Sequence, residues 1–375
     1  MKIFLDYHRA CQGLKCSLPR APTARPPGRH AGVRLAHRET FPDPFIARRA
    51  RPSTRPATRT RQDFTMKTVT FKNRMWDVAA DLRFPKDFDE TKTYPAIVCA
   101  HPISSCKEQT SGRIYGERLA EQGFITLAFD ASTQGASGGE PRFSEDPTLR
   151  VEDFRCAVDY LVTLPFVDEK RIGVLGVCGG GGYAVNAAMT ERRFKAVATV
   201  VGANYGRIMR EGDLTPDSAL KALDAIASQR TAEARGAEPL LTTYIPTSKA
   251  ALEQAGLTNV DIVEAVDYYT TPRGQQPGSP NQLRFSSLAP AVGWDAFHLA
   301  EHLLTQPLHI VIGGGEPGAF GSYRDGFDLY NRARSSEKTL QIVPGATHYD
   351  LYDQPAPTGQ ALAQLVPFFR KHLGV

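Results

Sequence analysis

The chain has 375 residues, of which 41% are hydrophobic and 23% charged, with a net charge of +5; this is the profile of a globular protein with room for one α/β core and an insertion. The positive charge is uneven: residues 1–65 hold 14 Lys and Arg against 4 Asp and Glu, and the remainder holds 31 against 36, so the basic balance is no argument that the main body binds nucleic acid or an anionic surface. No apolar stretch reaches the roughly 18 residues of a membrane-spanning helix, which excludes a helical span.

Residues 1–65 carry eight prolines, few apolar residues and no helical or strand period. Such a segment buries too little surface to offset its ordering entropy, and it reads as a disordered basic leader. Arg48 and Arg49 resemble a twin-arginine start, but no apolar run of export-signal length follows them. Met66 opens MKTVTF, where strand-like alternation begins, and the native protein is expected to start there. An Arg-rich transit segment and a nucleic-acid-binding arm are the competing readings of the leader; the arm predicts a steeply salt-dependent DNA affinity lost on deleting residues 1–65.

From Met66 short β-rich runs alternate with helical ones, which predicts a mostly parallel central sheet with helices on both faces. MKTVTFKN and WDVAADLRFP read as an opening antiparallel pair, Tyr94 to Pro102 as the first buried strand, and SGRIYGERLAEQG as helical. Phe124 to Ser132 is the next predicted strand, Leu149 to Leu164 has helical spacing, and VDEKRIGVLGV leads into a glycine cluster. FKAVATVVGA, Pro307 to Gly315 and Leu340 to His348 complete the strands, and QALAQLVPFFRKHL closes the chain as an amphipathic helix. Between Asn204 and Thr305 lie about 100 residues of Pro- and Gly-interrupted, helix-rich sequence, far beyond an ordinary connection of about 2 to 6 residues. An inserted cap over residues 204–305 is expected, above the C-terminal edge of the sheet where open α/β folds bind ligands; a peripheral structural insertion or oligomerisation arm is the alternative.

The chemistry centres on Cys178. It follows the apolar run RIGVLGV and is flanked two residues away on each side by Gly176 and Gly180, a G-x-C-x-G pattern between strand and helix. A nucleophile at such a turn takes strained backbone angles that leave no room for side chains at the flanking positions. A helix starting near Gly179 aims free N–H groups at the sulfur, and a lowered thiol pKa is the expectation. A phosphate loop is disfavoured, because no lysine follows the glycines.

Cysteine attack on an acyl group needs an imidazole, and His348 lies in GATHYDLYD directly after the last predicted strand. The acid that orients it should leave the preceding strand. Glu316 in GGGEPG fits that place, with Asp325 and Asp350 as rivals. The oxyanion hole is assigned to the N–H groups of Gly179 and Ile103, since Pro102 has no N–H to give. His101, at a buried strand end, reads as a structural hydrogen-bonded residue. Cys99, Cys106 and Cys156 show neither metal-ligand spacing nor a disulfide framework, which favours a reducing, cytoplasmic location.

With AHPISSCKEQ, FDASTQGASGG, VDEKRIGVLGVCGGGGYA and VPGATHYDLY in view, Met66 to Val375 resembles the α/β-hydrolase superfamily. Within it the chain is similar to the dienelactone-hydrolase-like branch with a cysteine nucleophile, and also to fungal polyketide transferases. It departs from dienelactone hydrolases in Glu316, where they carry aspartate, and in its long insertion. The resemblance implies hydrolysis of an ester, lactone or thioester through a Cys178, His348 and Glu316 triad and a covalent thioester, with no cofactor and no metal. Acyl transfer to an alcohol on the same scaffold is the alternative, since a thioester is a good acyl donor, and a binding protein on an inactive scaffold is a third reading. The expected partner is a small acyl substrate, with no nucleic acid or membrane; a homo-oligomer is compatible. Tyr244, Tyr268, Tyr269, Phe285, Leu288, Trp294 and Phe297 make the insertion suited to an apolar acyl or aryl group, or simply to a core of its own.

Overall fold

The computed structural model describes residues 65–211 and 216–375, with the side chain of Pro216 left out. The leader expectation therefore falls outside the described residues.

The hairpin reads directly from the alternation: β1 (Met66–Asn73) pairs antiparallel with β2 (Trp76–Arg83), from Met66 opposite Arg83 to Asn73 opposite Trp76. The tight turn between them places Arg74 at φ 52°. The strands that follow are apolar on both faces, the pattern of a parallel sheet covered by helices on each side. They are β3 (Tyr94–Ala100), β4 (Ile125–Phe129), β5 (Val167–Val177) and β6 (Phe194–Val200). Two short strands, β7 (Leu241–Thr242) and β8 (Leu283–Arg284), pair with each other outside the main sheet. Then come β9 (Leu308–Gly314) and β10 (Lys338–Pro344).

The eight-stranded sheet runs β1-β2-β4-β3-β5-β6-β9-β10. β2 meets β4 antiparallel and every later pairing is parallel. All predicted main-sheet strands are present, each within a few residues of its expected bounds. SGRIYGERLAEQG is less regular than expected, with a π-helical stretch Thr110–Gly116 before the helix Glu117–Glu121. The helix Pro147–Leu161 is started by the Asp146 carboxylate, which accepts the N–H groups of Thr148 and Leu149, with proline at its first position.

Between β6 and β9 the described residues form the helices Tyr205–Glu211, Pro216–Ala234, Lys249–Gln254, Val260–Thr270, Ala289–Gly293 and Ala300–Leu303. This part of the chain contacts the segments that follow the C-terminal ends of the strands. Gln109 Nε2 donates to Gly274 O at 2.6 Å, Ser279 Oγ donates to Ser104 O at 2.5 Å, and Arg273 pairs with Asp353 at 2.8 Å. Trp294 stacks on Tyr183 with ring centroids 4.7 Å apart.

Candidate active site

Cys178 stands between β5 and the helix Gly179–Thr190 with φ 52° and ψ −126°, a backbone conformation that non-glycine residues rarely hold without support. The support is visible. The Cys178 N–H donates to Val200 O at 3.0 Å, and its carbonyl accepts the N–H groups of Gly181 and Ala203, each at 2.8 Å. A Cβ on Gly176 would lie 2.2 Å from Gly180 O, and one on Gly180 would lie 2.5 Å from His101 O. Both flanking positions are therefore closed to any side chain, as the motif requires.

The expectation of a lowered thiol pKa is overturned. Burial of Cys178, which is 2% exposed, dominates and pushes the thiol up to about 11. The Tyr352 hydroxyl and the Gly179 N–H, which can donate to the thiolate form, pull the other way without winning, and the charges of Asp261 and Asp325 add to the rise. The resting sulfur is a neutral thiol. Ile103 lies directly against this turn: a Cβ on Gly179 would be 2.5 Å from Ile103 Cγ1 and 3.5 Å from Ile103 N. The two expected oxyanion donors are thus neighbours at the sulfur's end of the helix.

His348 follows β10 in a turn before the short helix Asp350–Asp353 and is buried. Its Nδ1 lies 2.9 Å from Ser322 Oγ, and its Nε2 lies 3.3 Å from the Tyr352 hydroxyl. Burial drives its pKa down to about 3, so the ring is neutral. Aromatic rings surround it, with Phe320, Tyr349 and Tyr352 at centroid distances of 5.5, 5.2 and 5.3 Å.

The expected His348–Glu316 hydrogen bond is not formed. Glu316 lies on the exposed loop after β9, and Ser322 occupies Nδ1 instead. The physical reason is the glycine-rich run Gly313–Gly318, which carries the Glu316 side chain out to solvent. Glu316 still borders the same cavity as His348, a space of about 220 Å³ shared with Asp261 and Ser322, among others. Asp325 is committed elsewhere: it is paired with the Arg207 guanidinium and accepts the Asn204 N–H at 2.8 Å. Asp350 braces the histidine turn by accepting the Thr347 N–H at 3.0 Å.

Three residues at the site escaped the sequence reading. Tyr352 follows His348 by four residues, so HYDLY held a usable signal. Ser322 opens the helix Ser322–Arg332 after Gly321, which has φ 63°. Asp261, at the start of the inserted helix Val260–Thr270, has no linear signal at all. Its Oδ2 accepts the Phe320 N–H at 2.7 Å, its Oδ1 has no hydrogen-bond partner among the described residues, and burial raises its pKa to about 7. His101 is structural, as expected. Its Nδ1 contacts Pro102 O at 2.7 Å, its Nε2 accepts the Ala131 N–H at 3.0 Å, and burial lowers its pKa.

Among the described residues the thiol and carboxylate groups close enough to share a cation are Cys106, Glu108 and Asp130. The ammonium of Lys107 already sits there, hydrogen-bonded to Glu108 and 3.5 Å from Asp130 Oδ2. No helix among the described residues is long and apolar enough to cross a membrane.

Comparison with known proteins adds to this geometry. Residues 84–232 match the Dienelactone hydrolase family. The chain is 43% identical over 299 residues to the uncharacterized protein YcjY of Escherichia coli (strain K12), covering 79% of this chain and 94% of that protein. It superposes on the crystal structure of the hypothetical protein PA2218 from Pseudomonas aeruginosa with a TM-score of 0.75 and 33% identity, over 83% of this chain and 94% of that one. Two fungal proteins are more distant. The polyketide transferase claH of Penicillium crustosum is 24% identical over 68% of this chain and 82% of its own length. The thiohydrolase apmlB of Arthrinium phaeospermum is 30% identical over 46% of this chain and 55% of its own.

Proposed function

Because the chain belongs to the dienelactone hydrolase family of α/β-hydrolases, we propose that it hydrolyses an ester, lactone or thioester bond of a small molecule through a covalent thioester on Cys178. The observation that carries this reading is the strained elbow: a cysteine at φ 52° between a parallel strand and a helix N-terminus, one tyrosine hydroxyl away from a buried neutral histidine.

In this reading the sulfur loses its proton toward His348 and attacks the carbonyl, and the N–H groups of Ile103 and Gly179 hold the oxygen on which charge develops. His348 passes the proton to the leaving group, then takes one from water to release the acid. A histidine kept neutral by burial can accept that proton, and a neutral thiol requires such a base. Glu316 is proposed to supply the carboxylate by turning inward within the cavity it shares with His348 and Ser322. Transfer of the acyl group to an alcohol is the second reading. It is favoured by the thioester itself and by the likeness to a polyketide transferase.

Replacement of Cys178 by alanine tests the proposal. Turnover of a p-nitrophenyl ester should disappear while the circular dichroism spectrum is unchanged; retained turnover ends the reading. Product analysis with an added alcohol separates transfer from hydrolysis.

A further inference from the structure

The sulfur and the imidazole are not in direct hydrogen-bond contact through one another's polar atoms; a phenol stands at both. The Tyr352 hydroxyl lies 3.3 Å from His348 Nε2, and the same hydroxyl is the phenol that acts on the Cys178 thiol. Its ring is fully buried and wedged against Tyr349 and Tyr268, with centroids 4.4 and 5.1 Å away, and its carbonyl accepts the Thr110 hydroxyl at 2.8 Å. The hydroxyl is therefore held in place by packing on one side and by its own backbone on the other.

A phenol has one proton to donate and lone pairs to accept with. Between a neutral thiol and a neutral imidazole it can satisfy both neighbours in one way that uses each group's stronger capacity: it donates to Nε2 and accepts from S–H. That assignment places the imidazole proton on Nδ1, where it donates to Ser322 Oγ, the contact seen at 2.9 Å. In that assignment S–H, O–H and Nε2 follow one another in the order a proton relay needs.

We propose that Tyr352 is a catalytic residue that relays the nucleophile's proton. As the S–H proton moves to the phenol oxygen, the phenol O–H proton moves to Nε2. The S–H and O–H bonds break, new O–H and N–H bonds form, and the products are a thiolate, an imidazolium and an unchanged neutral tyrosine. No charge rests on the phenol, which suits a hydroxyl whose burial raises its pKa well above the usual phenol range. The inference rests on the nucleophile reading above.

The test uses the full chain and the variants Tyr352→Phe and Cys178→Ala, with p-nitrophenyl acetate turnover, iodoacetamide alkylation of Cys178 followed by peptide mass mapping, and a proton inventory in mixed H₂O and D₂O. Phenylalanine keeps the ring and its packing, and thermal melting checks that the fold is kept. The relay predicts that Tyr352→Phe lowers kcat by roughly 100-fold with little change in KM, slows alkylation of Cys178, and converts a bowed inventory, with two protons in flight, into a straight one. Cys178→Ala should be inactive. If Cys178→Ala is inactive and Tyr352→Phe keeps the wild-type rate, alkylation and bowed inventory, the relay is wrong and the nucleophile assignment stands. If Cys178→Ala retains activity, both fall.

Discussion

The elbow that holds Cys178 and the loop after β9 that carries Glu316 are built on different principles. At the elbow the backbone itself carries the geometry: Gly176 and Gly180 leave no room for a Cβ, Ile103 presses on Gly179, and three backbone hydrogen bonds pin Cys178 at a positive φ. On the other side, Glu316 rides an exposed glycine-rich loop, Ser322 takes Nδ1 of His348, and Asp261 enters from a helix of the insertion. The Cys178 side is held by backbone hydrogen bonds and close packing, whereas the Glu316 side is assembled from side chains of separate segments. In the proposed reaction, strain is stored where the bond is made and adaptability lies where charge is balanced.

The comparison can be broken at its centre. His348→Ala removes the proposed base and should lower kcat/KM by roughly four orders of magnitude; a loss below tenfold in steady-state kinetics would remove histidine from the account. Next in size is the rigidity of the elbow. Gly180→Ala drives a Cβ onto the carbonyl oxygens of His101 and Ala100, 2.5 and 2.6 Å away, and should lower stability by about 3 kcal/mol in urea unfolding. An unaffected midpoint would show that the turn is looser than its contacts.

The acid side gives smaller effects with a defined pH signature. Asp261 has its folded value raised to about 7 by burial, above the ordinary carboxylate value. The folded protein therefore holds a proton that the unfolded chain releases from about pH 4 upward, and this residue's contribution falls as pH rises toward 7 and stays low above it. His348 has the opposite sign. Its value is depressed to about 3, so the unfolded chain takes up a proton first and stability is lost as pH falls from about 6.5 toward 3. Asp261→Asn keeps an acceptor for the Phe320 N–H and deletes the charge. It should raise stability by about 2 kcal/mol at pH 8 and leave pH 4 unchanged; an equal shift at both values would contradict the assigned titration. Smallest of the four, Glu316→Gln should lower kcat by roughly tenfold, far less than the loss of about 10⁴ recorded for a buried triad aspartate. No loss at all would hand the supporting role to Ser322 and Asp261.

The same contrast explains what could be read from the residues alone. Gly176, Cys178 and Gly180 fall within five consecutive positions of the sequence, and the two-sided apolar strands around them carry their own register, so the sheet and its turn were legible. His348 was legible because it lies directly after a strand. Ser322 bonds it from 26 positions away and Asp261 lines its cavity from 87 positions away, and no local pattern reports such a meeting. The direction of the Cys178 pKa differs from the expectation for a related reason: helix N-termini are visible in sequence, but the burial that outweighs this one exists only in the folded chain. The inserted helices themselves were expected, though not the carboxylate they deliver.

The central claim is that Cys178 sulfur becomes the acyl carrier. Acid-quenching the full-length protein during turnover of p-nitrophenyl acetate and mapping the peptides by mass spectrometry tests it most directly. The account predicts one acetyl group on the Cys178 peptide, absent from Cys178→Ala and accumulating in wild type before hydrolysis. Turnover with an unmodified Cys178, or with the acetyl group on another residue, would contradict it.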